Sequence, residues 1–380
     1  MFRTNAGMLL VWLSFNLCDC IALEPAMDRL ISSAEPTAKS TQPADDAPRM
    51  LVAPFSPEKA RQSQKAWADH LQTEVQLTNS IGSTLILIPS SEFQMGSHES
   101  MEETAAFAIR MGHKGAQAEN YRDEHPQHLV QLTRPYFLGK HEVTRGEFRK
   151  FVELTGYQTE AEADGLGGLG YSATTQSVEQ KPEYTWRNPG WEQTDKHPVL
   201  NVSWNDAVEF CKWLSQHEGH TYQLPTEAQW EFACRAGTTG RLVTGDVPAD
   251  LAGSANVGDE SYHRTPGFTQ YTGYFPFDDG TRFTAEVGSY RENPFGLCDM
   301  HGNVWEWCRD WYSESYYANS PRENPAGPLT GTYHIYRGGG WLNDPVGCRT
   351  TRRGGPSPSK RCNRLGFRLT RTIPSPAESQ

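Results

Sequence analysis

Apolar residues change their spacing several times along the chain, and each change predicts an element. Trp67, Leu71 and Val75 recur every fourth residue behind Ser56-Pro57, an N-cap followed by a first-turn proline, which predicts a helix ending near Asn79. Thr84-Leu85-Ile86-Leu87-Ile88-Pro89 is a continuous apolar run closed by proline and predicts a strand, with the turn-rich Gln94-Met95-Gly96-Ser97 after it. Helical spacing returns in Phe148, Phe151 and Val152. They follow Thr144 and Glu147, a pair spaced so that hydroxyl and carboxylate each satisfy an early amide, and Gly156 supplies an exit. Ser203 opens a second helix, with Ala207, Val208, Cys211 and Leu214 facing inward and Gly219 as its stop. Thr226 and Gln229 cap a third, shorter helix.

The segments between are less regular. Residues 98–127 are polar and read as a mobile stretch, with His113, His125 and His128 as solvated loop histidines, because their spacing specifies no tetrahedral metal site. Residues 157–200 are rich in Gly, Thr, Trp and Pro and read as an ordered insertion or a cleft wall. Trp186, Trp191 and Trp204 are expected to pack in the core in preference to forming an aromatic binding face. Asn201-Val202-Ser203 fits the N-glycosylation pattern, which requires an exposed asparagine.

At the N-terminus, Met8-Leu9-Leu10-Val11-Trp12-Leu13 is too short to span a bilayer comfortably and has signal-peptide length. The expectation is a signal peptide over 1–22, cleaved near Ala22, which exports the protein to a periplasmic or extracellular location; an uncleaved segment would be a membrane anchor. Residues 23–55 bury too little apolar surface to offset ordering entropy and read as a flexible spacer. A helical extension over 56–81, one large domain over 82–373 and a flexible tail over 374–380 complete the division. Composition adds that 34 Gly and 25 Pro in 380 residues imply much irregular backbone, which disfavours collagen and long coiled coils. Eleven Trp, 16 Phe and 15 Tyr imply a substantial core or cleft. A net charge of -11 disfavours a generic nucleic-acid surface and leaves room for a local basic site.

A set of strings then occurs in order: Gln94-Met95-Gly96, His141-Glu142-Val143-Thr144, Val202 to Ala207, Leu224-Pro225-Thr226-Glu227-Ala228, Asn293 to Trp307, Arg337-Gly338-Gly339-Gly340-Trp341 and Gly366-Phe367-Arg368. Together they resemble the sulfatase-modifying-factor family, whose best-known members are formylglycine-generating enzymes. The resemblance implies a compact α/β fold with extensive irregular backbone, related to C-type-lectin-like architecture. It also implies, for the formylglycine-generating members, copper- and oxygen-dependent oxidation of a cysteine in an extended sulfatase peptide; fold alone does not assign that reaction.

The same resemblance implies two calcium sites. Asn256 and Asp279 would use side chains and Val257 and Thr281 carbonyls in one; Asp299, Gly302, Val304 and Glu306 match the second. Such mixed oxygen sets suit Ca2+. Six cysteines follow the leader and allow fifteen pairings if all are bridged. Cys211 and Cys234 match positions that the family uses in disulfides, but their partners map to Leu369 and Arg353. Cys348 matches the later catalytic cysteine, whereas Asn343 stands where the earlier one is expected and Gly340 replaces an active-site serine. An amide cannot replace a thiolate as a Cu(I) ligand, so copper is disfavoured while Ca2+ is expected.

Cys348 stays a candidate for a copper-free reaction or a structural disulfide. Trp341, Arg349 and Arg352 are candidate substrate-binding residues, and the cluster of Arg349, Arg352, Arg353 and Arg368 reads by default as structural ion pairs. The functional expectation is an exported protein that binds an extended polypeptide or related extracytoplasmic partner. The alternative is a divergent formylglycine-generating oxidase acting on a substrate-protein cysteine through Cys348.

Overall fold

The computed structural model describes residues 47–269 and 273–374. The expected signal peptide or anchor, most of the spacer and residues 375–380 of the tail lie outside them.

Chain entry is set by β1 (Leu51–Val52) and α1 (Pro57–Leu71). The stretch just before residue 56 thus belongs to the folded body: β1 pairs in parallel with β4 (Ser91–Met95), Leu51 opposite Ser91. Ser56 caps α1 as its sequence predicts, its hydroxyl accepting from the Lys59 amide at 3.3 Å. The helix stops at Leu71, well short of Asn79, because Gln72 turns left-handed (φ 52°) and the Thr73 amide returns to the Ala68 carbonyl. Val75 therefore precedes a strand, β2 (Gln76–Thr78), paired antiparallel with β3 (Thr84–Ile88).

β3 shows why its sequence is apolar at consecutive positions. Leu85 and Leu87 enter a core with Phe137, Phe148, Phe151, Phe210 and Phe367, while Ile86 and Ile88 enter a second with Phe93, Leu138, Trp230 and Phe232. A strand covered on both faces has no polar side. It lies inside a five-stranded antiparallel sheet of order β2-β3-β6-β13-β9, where β6 is Tyr136–Gly139, β9 is Tyr222–Gln223 and β13 is Thr370–Thr372. β5 (His128–Leu132) pairs with β4 to complete the β1-β4-β5 sheet.

Residues 98–127 are largely ordered, contrary to their polar composition. Ser100 and Glu103 form a capping box at the start of α2 (Met101–Arg110), and a 3-10 helix covers Ala118–Glu124. Ala105, Phe107, Ala108 and Tyr121 pack with Val346. The three capping signals further along are realised in α3 (Arg145–Thr155), α5 (Trp204–Glu218) and α6 (Glu227–Arg235), capped by Thr144, Ser203 and Thr226. The 157–200 region holds a short helix, α4 (Glu160–Ala163), and a hairpin of β7 (Gly168–Ser172) and β8 (Ser177–Lys181). Asn201 within the glycosylation pattern is fully buried; its Nδ2 donates to the Leu169 carbonyl at 3.0 Å, so the folded chain offers no acceptor there.

A small sheet carries the remaining chemistry. Its central strand, β10 (Trp305–Trp311), pairs antiparallel with β11 (His334–Arg337) and parallel with β12 (Leu365–Gly366). The loops leaving these strands are irregular, as the glycine and proline content predicts.

Candidate functional site

Where β10, β11 and the loop after Trp341 meet α2 and the 3-10 helix, the surface opens into a two-lobed cleft. One lobe, about 610 Å3, is walled by Tyr121, Trp305, Tyr336 and Arg352; the other, about 410 Å3, by Leu169, Val178, Tyr262 and Phe268. His113, Asn343, Asp344 and Arg364 line both and so mark their junction. Trp305 at the head of β10 packs edge-on against Tyr336 of β11, ring centres 4.4 Å apart.

Asn343 is locked in place. Its Oδ1 accepts from Trp305 Nε1 at 2.9 Å and from the Gly340 amide at 3.0 Å. Asp344 Oδ1 accepts from the Val346 and Gly347 amides at 2.9 and 3.0 Å, and its Oδ2 accepts from His113 Nε2. That bond is the main cause of the upward shift of the His113 pKa, with burial opposing it. His113 is thus an exposed loop histidine, as expected, that is also tied to the cleft loop through Asp344.

Cys348 lies beneath this floor with no exposed surface. Its neighbours are Leu242, Leu251, Ala255, Val257 and Phe275, and its Sγ approaches the Asn343 carbonyl at 3.6 Å. Burial pushes the thiol well above its ordinary pKa, the opposite of what an activated nucleophile requires. His301 packs alongside: Nδ1 donates to the Cys348 carbonyl at 2.8 Å and Nε2 accepts from the Val243 amide at 3.0 Å. Cys211, Cys234, Cys298, Cys308, Cys348 and Cys362 are all buried free thiols; Cys211 and Cys234 lack the family's bridges, as their mapped partners imply, and the disulfide alternative for Cys348 is not realised. Leu369 is core, and Arg353 holds Glu227 through two bonds of 2.7 and 2.9 Å. Among the described residues no three His, Cys, Asp or Glu side chains converge as a metal cluster. Cys348 with a hydrogen-bonded amide at 343 does not fit a two-thiolate copper site.

The calcium candidates are only partly gathered. Asp279 accepts from the Val257 and Thr281 amides at 2.9 and 2.8 Å, and burial raises its pKa to about 7. Asn256 donates through Nδ2 to Asn303 Oδ1 at 3.1 Å, while its own buried Oδ1 has no partner. Asn303 in turn donates to Glu142 Oε1 at 3.1 Å, which ties the first candidate set to the second. There, Asp299 Oδ1 and Glu142 Oε2 are buried without partners, and burial is the leading cause raising both acids. Gly302 and Val304 flank Asn303 in the chain. Glu306, by contrast, has both oxygens on Arg368 at 2.6 Å, so an ion there would have to compete with that guanidinium.

Of the substrate-binding candidates, Arg352 alone reaches the cleft. Arg349 is buried in a two-bond pair with Glu124 at 2.6 and 2.7 Å, and Trp341 is buried against Tyr262, Phe268 and Phe283 with Nε1 on the Asn363 carbonyl. Trp186 is core; Trp191 stacks on Phe283 and Trp204 on His334. His113, Asp344 and Arg364 were not identified from sequence as functional residues. His113 comes from the polar segment, and no local pattern joins it to positions more than two hundred residues later.

Residues 72–373 match the family described as the sulfatase-modifying factor enzyme 1-like domain. The chain belongs to this family. It is 36% identical to the formylglycine-generating enzyme of Streptomyces coelicolor over 274 residues, 64% of this chain and 80% of that protein. Identity to the formylglycine-generating enzyme of Bos taurus is 34% over 61% of this chain, which spans only 64% of the bovine protein's length. In fold it is similar to PvdO from Pseudomonas aeruginosa, with a TM-score of 0.57 and 24% identity over 78% of this chain and 98% of that one. The α/β fold expected for the sulfatase-modifying-factor family is therefore present. Among the described residues no helix is long and apolar enough to cross a membrane.

Proposed function

We propose that this sulfatase-modifying-factor protein acts outside the cytoplasm and holds an extended polypeptide in the two-lobed cleft. The observation that carries this reading is the continuity of the lobes through Asn343 and Asp344, with aromatic walls on either side and fixed polar groups at the join. A divergent formylglycine-generating oxidase is the second reading, and the names of the curated relatives favour it over binding alone. Both readings seat a polypeptide in the same cleft. Copper chemistry of the two-thiolate kind has no support in the side chains at 343 and 348, and the mechanism rests on what the chain itself supplies: orientation by the Asn343 and Asp344 loop, and walls that displace water.

Calcium is part of the proposal. The unpaired buried oxygens of Asn256, Asp299 and Glu142 are the oxygen chemistry that a hard cation would satisfy, and Val257, Asp279, Thr281, Gly302 and Val304 lie beside them in the chain or the fold. Calcium there would brace the loops under the cleft. The kinship with C-type-lectin-like architecture belongs to the same family-based reading.

Hydrogen exchange of the full chain with a cysteine-bearing sulfatase peptide tests the cleft. The expected result is saturable protection of amides across 113–121 and 343–352; unchanged exchange at all peptide concentrations removes the reading.

A further inference from the structure

The chain is acidic as a whole, yet two arginines line the cleft, Arg364 at the junction of the lobes and Arg352 in the larger lobe. Arginines nearby fall into two groups. Arg337, Arg349, Arg353 and Arg368 are buried, and each is neutralised by a buried glutamate. Arg364 is not consumed in this way, and Arg352 makes only a long pair with Glu124.

Arg364 lines both lobes, and among the described residues its guanidinium has no ion-pair or hydrogen-bond partner. Its backbone is fixed, since its carbonyl accepts from the Trp305 amide at 2.8 Å just before β12. Arg352 is one-third exposed, and the nearest carboxylate, Glu124, stands 3.8 Å away with both oxygens already on Arg349. Burial opposes ionisation of Glu124, yet the Arg349 guanidinium, with a smaller contribution from Arg352, holds its carboxyl down at about 2. Asn343 adds a neutral donor. Both partners of its Oδ1 are donors, which fixes the amide orientation and leaves Nδ2 as the free end. Lys114 also lines the larger lobe, whereas Asp344, the acid at the junction, is occupied by His113 and two amides.

An unmatched guanidinium at Arg364, beside a fixed amide donor and between aromatic walls, recognises a planar anion through charge-assisted bonds, and the loosely paired Arg352 adds positive charge from the larger lobe. We infer that the lobe junction is a carboxylate-recognition subsite built on Arg364 and Asn343 Nδ2, with Arg352 supporting it from the larger lobe, and that the polypeptide this cleft takes carries an acidic side chain there. The inference rests on the polypeptide reading above and narrows its ligand class. A two-lobed cleft with aromatic side chains on both sides of the charge favours a peptide carboxylate over a small free anion.

The test measures fluorescence anisotropy of the full chain with a dye-labelled peptide library in which one central residue is Asp or Glu, Asn or Gln, or Lys. Free acetate and inorganic sulfate serve as competitors. Expected is tighter binding of the acidic set, loss of about tenfold in affinity for it in Arg364→Gln, and a smaller loss in Arg352→Gln. Arg364→Glu should transfer preference to the lysine peptides, a gain that misfolding cannot mimic. The acidic preference should weaken with added salt. Binding of all peptides alike, or an unchanged preference in folded Arg364→Gln, overturns the subsite and leaves the polypeptide reading intact. No binding of any peptide overturns both. Competition by sulfate or acetate as effective as by the acidic peptide overturns the peptide as the source of the anion.

Discussion

At the scale of single residues, the chemistry under the cleft is governed by burial. His301 is the clearest instance: both ring nitrogens are used, one as donor to the Cys348 carbonyl and one as acceptor from the Val243 amide. Protonation would set an N–H against the Val243 N–H inside the core, and burial lowers the His301 pKa to about 4. An unfolded histidine takes up its proton near pH 6.5. Between these values the unfolded chain binds the extra proton, so stability falls as pH falls, by about 3 kcal/mol from this group alone. Denaturant titrations at pH 7, 5.5 and 4 should show a shallower decline in His301→Gln than in the native chain; parallel declines would contradict it. His301 stands inside a string that locates the family, yet nothing in the string tells that its ring will be buried. The same holds for Cys348, whose position in the family pattern was legible while its inaccessibility depends on Leu242, Leu251 and Phe275, distant in sequence.

At the scale of elements, α6 fastens the loop-rich C-terminal half to the sheets. Glu227 and Glu231, one turn apart, face Arg353 and Arg337, while Arg235 returns to Glu231 at 2.9 Å. Removing one member strands a charge where water cannot reach it. Glu227→Gln keeps the shape and removes the charge, and it should cost about 3–5 kcal/mol in a urea titration; a change within the error of the fit would show that these pairs are not matched as described. Thr144→Ala should cost only about 1 kcal/mol, since it removes one N-cap hydrogen bond and strands no charge. The caps of α3, α5 and α6 were readable because each is a local exchange of two hydrogen bonds. Ser100 and Glu103 carry the same spacing, but the polar surroundings masked it. β1, β12 and β13 were not readable: two or three residues form a strand only when partners such as Ser91, Glu306 and Leu138 lie alongside.

For the whole molecule, the cleft is assembled from a polar segment near residue 113, the small sheet and the loop around residue 343. Family strings located the last two, but the first had no signal linking it to them. The loops beneath hold unpaired buried oxygens at Asn256, Asp299 and Glu142. If calcium fills these sites, saturation should raise stability by about 3 kcal/mol at a hundredfold excess over the dissociation constant. Calorimetry before and after chelation should then show a lower melting temperature in the chelated protein, restored by Ca2+ and not by Mg2+; identical melts with no calcium in elemental analysis contradict the assignment.

In the proposed function, the cleft seats a polypeptide without a copper-thiolate centre. The most direct measurement is mass spectrometry of a cysteine-bearing sulfatase peptide incubated under oxygen with the full chain, with copper present and absent. The expected result is bound but chemically unchanged peptide, with no copper-dependent aldehyde. Robust copper-dependent aldehyde formation, lost in a folded Cys348→Ala protein, would contradict it.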